Sequence, residues 1–407
     1  MVYFGLTEEQ RSLQDAVRSI LARRFPLAAV RQDYDHGDGD PLALWQLAAE
    51  HGWLGILIPE EQDGLGLGLL EAAVVVRALG AGAAPGPYLP TLVAAEAVRI
   101  AGSAEQHRRW LPRVAAGEVR LSLAFRRDST AWDGSGVGPA TVAGSLYGSA
   151  THVEYAQVAD ALVVAALDGH DIRLYLVDPR QPGVVVEPLE SIDRTTRLAT
   201  VIFDGAVGEL LPASNRSVFA GILDRAAVLY ANDLAGLARE GLSRTVAYDI
   251  ERVQFGRPVG SFQAVKHALA DLHVMVTMAE HATLYAAYAL DEDFPDAPLA
   301  ASIAKAKASD AAREVVAGMI QFHGGIGFTW ESDVHIFFKR AKREEYQYGD
   351  ATWHRERITR IVVDRPSGAP GRQMSVRDRL VSVRDRTVSV RDRTMSSQSS
   401  VLQSIDE

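Results

Sequence analysis

The chain contains no cysteine in 407 residues. That absence excludes a disulfide framework, a thiolate zinc site, an iron–sulfur cluster and a cysteine nucleophile, and it fits the cytosol. No stretch approaches 18 uncharged apolar residues, so the sequence predicts no membrane span. The opening MVYFGLTEEQ carries acid where a secretory leader would carry basic residues and then an apolar run, and the expected location is cytoplasmic. Positive charge is also short: 42 Lys and Arg stand against 52 Asp and Glu, a net charge of −10. Such a balance repels phosphate backbones and argues against nucleic acid as a partner.

What is present is ample apolar material, 47% of the residues, in a length that predicts two or three domains. Thr7-Glu8-Glu9-Gln10 has the form of a capping box, followed by Leu13, Val17, Ile20 and Leu21 at helical spacing. Further helices are expected from Pro41 to about His51, Leu69 to Gly80, Leu92 to Gly102 and Glu105 to Ala116. From about Arg120 the period changes to short Val-, Ile- and Leu-rich runs (LSLAF, ATVAG, ADALVVAAL, DIRLYLVD, GVVVEPL, LATVIFDG) punctuated by Gly, Asp and Pro, which predict an antiparallel β domain. Helical periodicity returns over Ser217–Glu251, Ser261–Leu290 and Ala297–Phe322, lengths suited to a four-helix bundle. The expected division is 1–118 helical, 119–211 β and 212–364 helical. Residues 365–407 are then a disordered tail in which Ser375–Arg379 recurs as Ser382–Arg386 and Ser389–Arg393.

Three passages, Pro59–Gly80, Glu251–Leu272 and Ile320–Lys342, together resemble the acyl-CoA dehydrogenase family, and the similarity extends over about Leu6 to Val363. The resemblance implies a mainly α fold with N-terminal helices, a middle antiparallel β-barrel-like domain and a C-terminal four-helix bundle. It also implies FAD as cofactor, an acyl-CoA thioester as substrate, and electron-transfer flavoprotein or a similar acceptor as partner. In that chemistry a carboxylate removes the α-proton and the β-hydrogen leaves as hydride to the flavin. A base for so weak a carbon acid must be positioned and desolvated, and donors must meet the developing enolate. By the same resemblance Arg252 and Phe255 of Arg252-Val253-Gln254-Phe255-Gly256 meet the FAD diphosphate of a neighbouring subunit. Gln263, Gln321, Gly324 and Gly325 complete that contact. A guanidinium fork suits phosphate oxygens, and glycines allow close backbone approach.

Elsewhere the chain departs from the family. Where a Thr-Glu-Pro stretch lies along the flavin ring, it reads Ala124-Phe125-Arg126-Arg127-Asp128-Ser129-Thr130, and a second flavin-side strand is replaced by Tyr147-Gly148-Ser149-Ala150 and Val153-Glu154-Tyr155. The two positions that carry the catalytic Glu hold Tyr348 and Ala226. A tyrosine of ordinary pKa is roughly 0.1% ionised at neutral pH, and alanine has no proton to exchange. Asp224, Asp233, Glu344, Glu345 and Asp350 are nearby carboxylates; Asp350 is the best placed, but such residues more often cap helices. The pattern resembles the base-lacking subunit of α2β2 acyl-CoA dehydrogenases, whose partner is a related subunit with the catalytic Glu. The alternatives are a homotetrameric dehydrogenase using Asp350, a flavin-dependent oxidase or oxygenase on the same fold, and a purely structural subunit. No metal site is expected. His323, Trp330, Trp353 and His354 are read as packing or hydrogen-bonded groups before chemistry, and Arg108, Arg109 and Arg113 as a solvated helix face.

Overall fold

The computed structural model describes residues 5–127 and 131–363. The repeat-bearing tail and Asp128-Ser129-Thr130 lie outside the described residues. Met1–Thr359 form one compact unit; of the second, Arg360–Glu407, only the final helical turn is described.

The N-terminal third is helical: α1 (Glu8–Arg24), α2 (Leu27–His36), α3 (Leu42–Glu50), α4 (Leu69–Ala81), α5 (Tyr88–Ala101) and α6 (Ala104–Ala115). The capping box at Thr7 forms, with the Thr7 hydroxyl accepting from the Gln10 amide N–H and the Gln10 side chain accepting from the Thr7 N–H. Then come β1 (Leu121–Ala124), β2 (Ala140–Val142), β3 (Ser145–Glu154), β4 (Ala161–Asp168), β5 (Asp171–Val177), β6 (Val184–Leu189), β7 (Leu198–Ala206) and β8 (Glu209–Leu210). The C-terminal part holds α7 (Arg216–Glu251), a hairpin of β9 (Val253–Gln254) and β10 (Arg257–Pro258), α8 (Gln263–Asp291), α9 (Ala297–His323), α10 (Val334–Glu344) and α11 (Ala351–Val363).

The sheet runs β6-β7-β3-β2-β4-β5-β8, with β1 beside β4. This refines the antiparallel expectation: β1 pairs with β4 in parallel, as does one residue pair of β2 with β4, and β6 and β8 stand at the two ends. Alternation along β4 explains the layering. Ala161, Val163 and Ala165 join the main core with the helices, while Leu162, Val164 and Ala166 join a smaller core on the opposite face. A strand apolar on both sides is therefore covered on both sides.

At the centre lies α7, packed against α4, α5, α8, α9 and α10 and apolar around most of its girth. It approaches α4 through glycine. A Cβ on Gly236 would fall 2.0 Å from the Arg77 carbonyl oxygen, so any other residue would push the helices apart. Among the described residues no helix is long and apolar enough to cross a membrane, and no cluster of His, Cys, Asp and Glu could hold a metal.

Candidate active site and cofactor face

One end of the bundle gathers the six residues expected to meet the cofactor. Tyr248, on the last turn of α7, stacks on His323, the last residue of α9, with ring centroids 4.3 Å apart and planes 17° from parallel. The Tyr248 hydroxyl also donates to the His323 carbonyl at 3.4 Å, and His323 Nδ1 is 2.8 Å from the Met319 carbonyl, which it meets as donor. Burial pushes the imidazole below its ordinary pKa. This joint places the hairpin of Arg252 and Phe255 at the same end as Gln321, Gly324 and Gly325.

The hairpin turns on Phe255 and Gly256, both at positive φ (53° and 77°), as a two-residue loop requires. For phenylalanine that conformation costs roughly 1–2 kcal/mol. Burial does not offset it, because Phe255 is 91% exposed. Arg252 is also exposed, and no carboxylate among the described residues pairs with it. Gln263 opens α8 and, like Gln321, faces solvent. Gly324 has φ 64° and ψ −140°, a combination open to glycine, and no atom lies within 4 Å of a Cβ built on Gly324 or Gly325. An unpaired guanidinium, an outward phenyl and bare backbone fit a diphosphate and the flat rings of a dinucleotide.

The positions that depart from the family pattern meet at the other end, around one small cavity. It is lined by Phe125 and Arg126 from the first replaced stretch, Val153 and Glu154 from the second, and by Thr151, His152, Trp132, Gln347 and Tyr348 among others. The volume is about 20 Å³, room for roughly one water. Aromatic rings fill the rest. Tyr348 lies 4.9 Å from Tyr230, 5.8 Å from Trp132 and 6.4 Å from Phe125, ring centre to ring centre. Ala226 precedes Tyr230 by one turn of α7, so both positions at which the resemblance leads one to expect the base belong to this face, and neither is a carboxylate.

Glu154 is the one carboxylate lining the cavity, and both its oxygens are engaged. Arg343 donates to Oε1 at 2.7 Å, and the Tyr230 hydroxyl donates to Oε2. Burial raises the Glu154 pKa, while Arg343 and Tyr230 pull it back down. The net direction is upward, but a guanidinium and a phenol already occupy its two oxygens, so neither is open to a substrate proton. It belongs to a larger buried network: Arg343 reaches Asp193 at 3.1 Å and Glu344 at 2.8 Å, and Arg340 reaches Asp233 at 2.9 Å and Glu344 at 3.3 Å. Among the described residues, Glu154, Asp193, Asp233 and Glu344 form their ion pairs with these two guanidinium groups. Burial pushes the Glu344 carboxyl well above its ordinary range, with Arg340 and Arg343 opposing that shift and the Asp233 charge adding to it.

The other candidate carboxylates, Asp350, Asp224 and Glu345, each have a partner. Asp350 caps α11, its Oδ1 accepting from the Trp353 amide at 2.7 Å; it lies on the wall of an outer cleft of about 590 Å³ with Trp132, Ile192, Trp353 and Glu356. Asp224 is bound by both terminal nitrogens of Arg357, and Glu345 by Lys342. Trp330 stacks on His335 and donates to Asp35 at 3.0 Å; Arg109 pairs with Glu209 and Arg113 with Glu118, flanking Trp110. Sequence reasoning passed over Tyr230, Arg343 and Asp193 and read Glu154 only as a lost flavin contact.

Two family models match the chain: "Acyl-CoA dehydrogenase, N-terminal domain" over residues 7–118 and "Acyl-CoA dehydrogenase, C-terminal domain" over residues 217–363. The chain is 35% identical over 335 residues to acyl-CoA dehydrogenase IpdE2 of Mycobacterium tuberculosis (strain ATCC 25618 / H37Rv), covering 82% of this chain and 91% of that protein. It is 33% identical to acyl-CoA dehydrogenase FadE27 of the same strain, covering 80% and 89%. Among solved structures it is similar to the ChsE4-ChsE5 complex from Mycobacterium tuberculosis, with TM-score 0.83, 29% identity and coverage of 90% of this chain and 100% of that one. It is also similar to the Tcur3481-Tcur3483 steroid ACAD, with TM-score 0.81, 31% identity and coverage of 88% and 98%.

Proposed function

The chain belongs to the acyl-CoA dehydrogenase family, and from that premise we propose that it is the base-lacking subunit of a heteromeric enzyme, completing the FAD site of a related chain that carries the catalytic glutamate. The family's members are oxidoreductases acting on CH–CH bonds of acyl-CoA thioesters, with FAD as cofactor; bound FAD supplies the hydride acceptor. On this reading Arg252 neutralises the diphosphate with its guanidinium fork, and Phe255 packs against the cofactor. Gly324 and Gly325 let the main chain come close, and the amides of Gln263 and Gln321 offer hydrogen bonds.

The observation that carries the proposal is the filled cavity. Tyr348 stands at the base position with its ring against Tyr230, Trp132 and Phe125. No carboxylate with a free oxygen lines the remaining space, since Arg343 and Tyr230 hold Glu154. The inner cavity thus offers no free carboxylate oxygen and no room for a ring. Asp350 as a relocated base is disfavoured, because its carboxylate caps α11. The names of two similar structures pair two proteins, which supports a second chain type. Electron-transfer flavoprotein or a similar acceptor would then serve the assembled enzyme.

Purification of the full chain alone and together with each related family member tests this. Alone it should carry little flavin absorbance and show no acyl-CoA-dependent bleaching, and the co-purified pair should show both. Turnover by the isolated chain that disappears in Asp350→Asn would replace the proposal with the self-sufficient reading.

A further inference from the structure

Lys305 sits in the middle of α9 and is completely buried, yet no carboxylate oxygen among the described residues bonds to it. Its ammonium instead donates to main-chain carbonyls of one turn, that between α10 and α11. It reaches Gly349 at 2.8 Å, Glu345 at 3.0 Å and Glu344 at 3.4 Å, with the Ser309 hydroxyl at 3.2 Å. A buried ammonium is costly unless its donors are satisfied, and here a single short segment satisfies them.

A second buried group grips the same turn from the other side. His354 on α11 donates from Nε2 to the Tyr348 carbonyl at 2.9 Å, so consecutive carbonyls, 348 and 349, are held from two different helices. Burial and the nearby Lys305 charge keep the imidazole neutral, the state in which one nitrogen donates and the other stays bare; Nδ1 is buried without a partner. Between these anchors Tyr348 adopts φ +56°. A bulky residue remains in that region only where its surroundings over-determine it.

We infer that Lys305 and His354 are positioning residues, holding the 344–349 turn in the one shape that seats the Tyr348 ring in the inner cavity. The cavity stays closed because the turn is clamped, not only because a large side chain was placed there. The inference rests on reading that cavity as the chain's own disused ring site, but its test needs no flavin.

Hydrogen exchange of the full chain at pH 6.5, resolved by peptide, reads the clamp directly. The Glu345 and Gln347 amides bond to the Ala341 and Glu344 carbonyls at 2.9 and 3.1 Å and report the turn. In Lys305→Met, which keeps the side-chain length and removes the donors, their exchange should accelerate about tenfold or more, the change expected from losing roughly one charged hydrogen bond. Amides in α7 should keep their wild-type rates. His354→Ala should give the same local acceleration, and His354→Gln, with an amide able to donate to the Tyr348 carbonyl, should restore most of the protection. Unchanged exchange in the turn, acceleration spread equally through α7, or equal protection in His354→Ala and His354→Gln would each overturn the inference. If Lys305→Met does not fold, the His354 pair alone decides. Flavin turnover by the isolated chain would remove the proposed function and leave this measurement standing.

Discussion

The two ends of the bundle treat charge and aromatic surface in opposite ways. At the end holding Tyr348, arginines and carboxylates are buried against each other and the rings are packed together, so almost every group has found a partner within the chain. At the end holding Arg252 and Phe255, a guanidinium and a phenyl are held out in solvent, the phenyl in a strained conformation. Groups satisfied internally stabilise the fold and are closed to ligands; groups left unsatisfied cost stability and remain available. The end holding Tyr348 is thus built for stability, and what remains open faces outward.

That contrast breaks most visibly at Arg340. Arg340→Ala leaves Asp233 buried without its cation and should lower the unfolding free energy by about 3–5 kcal/mol in urea titrations. A loss below about 1 kcal/mol, the range of surface pairs, would mean the network is not the stabilising end.

The next largest effect is acid sensitivity from the same end. Burial lowers the His354 pKa to about 3 from an ordinary 6.5, so between these values the unfolded chain binds the proton that the folded one refuses. Stability is therefore present above pH 6.5 and lost as pH falls toward 3, by something on the order of a few kcal/mol at about 1.4 kcal/mol per pKa unit. His354→Gln should flatten that slope in pH-dependent denaturation, and an unchanged slope would place the acid lability elsewhere.

Smaller effects are expected at the open end, and one has the opposite sign. Phe255→Gly removes positive-φ strain and forfeits almost no buried area, so the isolated chain should gain up to about 1 kcal/mol in thermal denaturation while the co-purified complex retains less FAD. Arg252→Ala should change stability by no more than about 0.5 kcal/mol and yet reduce the FAD-to-protein ratio of the complex. Flavin content unaffected by either substitution would show that the exposed face serves some other purpose.

Local patterns were readable in proportion to how local their causes are. The Thr7 cap, the long helices and the Val-rich strands depend on neighbours a few residues away, and the structure has them. Helix α2 was passed over because it buries only Val30 and Tyr34, too short a stripe to register as a period. Strand β3 was passed over because a register shift between Ala150 and Val153, with His152 at φ +55°, interrupts its alternation. The exposed face of Arg252, Phe255, Gln321 and Gly324 could be singled out because these residues lie in contiguous motifs. The closed cavity was half legible: the missing carboxylates at Tyr348 and Ala226 could be read, but not what took their place.

The sequence by itself determined which chemistry is missing and which motifs survive, since identity at a position needs no coordinates. Only the tertiary structure decided that the surviving motifs share one end of the bundle, that Glu154 is held by Tyr230 and Arg343, and that Lys305 and His354 hold a single turn. Those partners lie from 6 to 189 residues apart along the chain. Whether a buried charge is satisfied depends on distances of about 3 Å between such residues, and packing sets those distances.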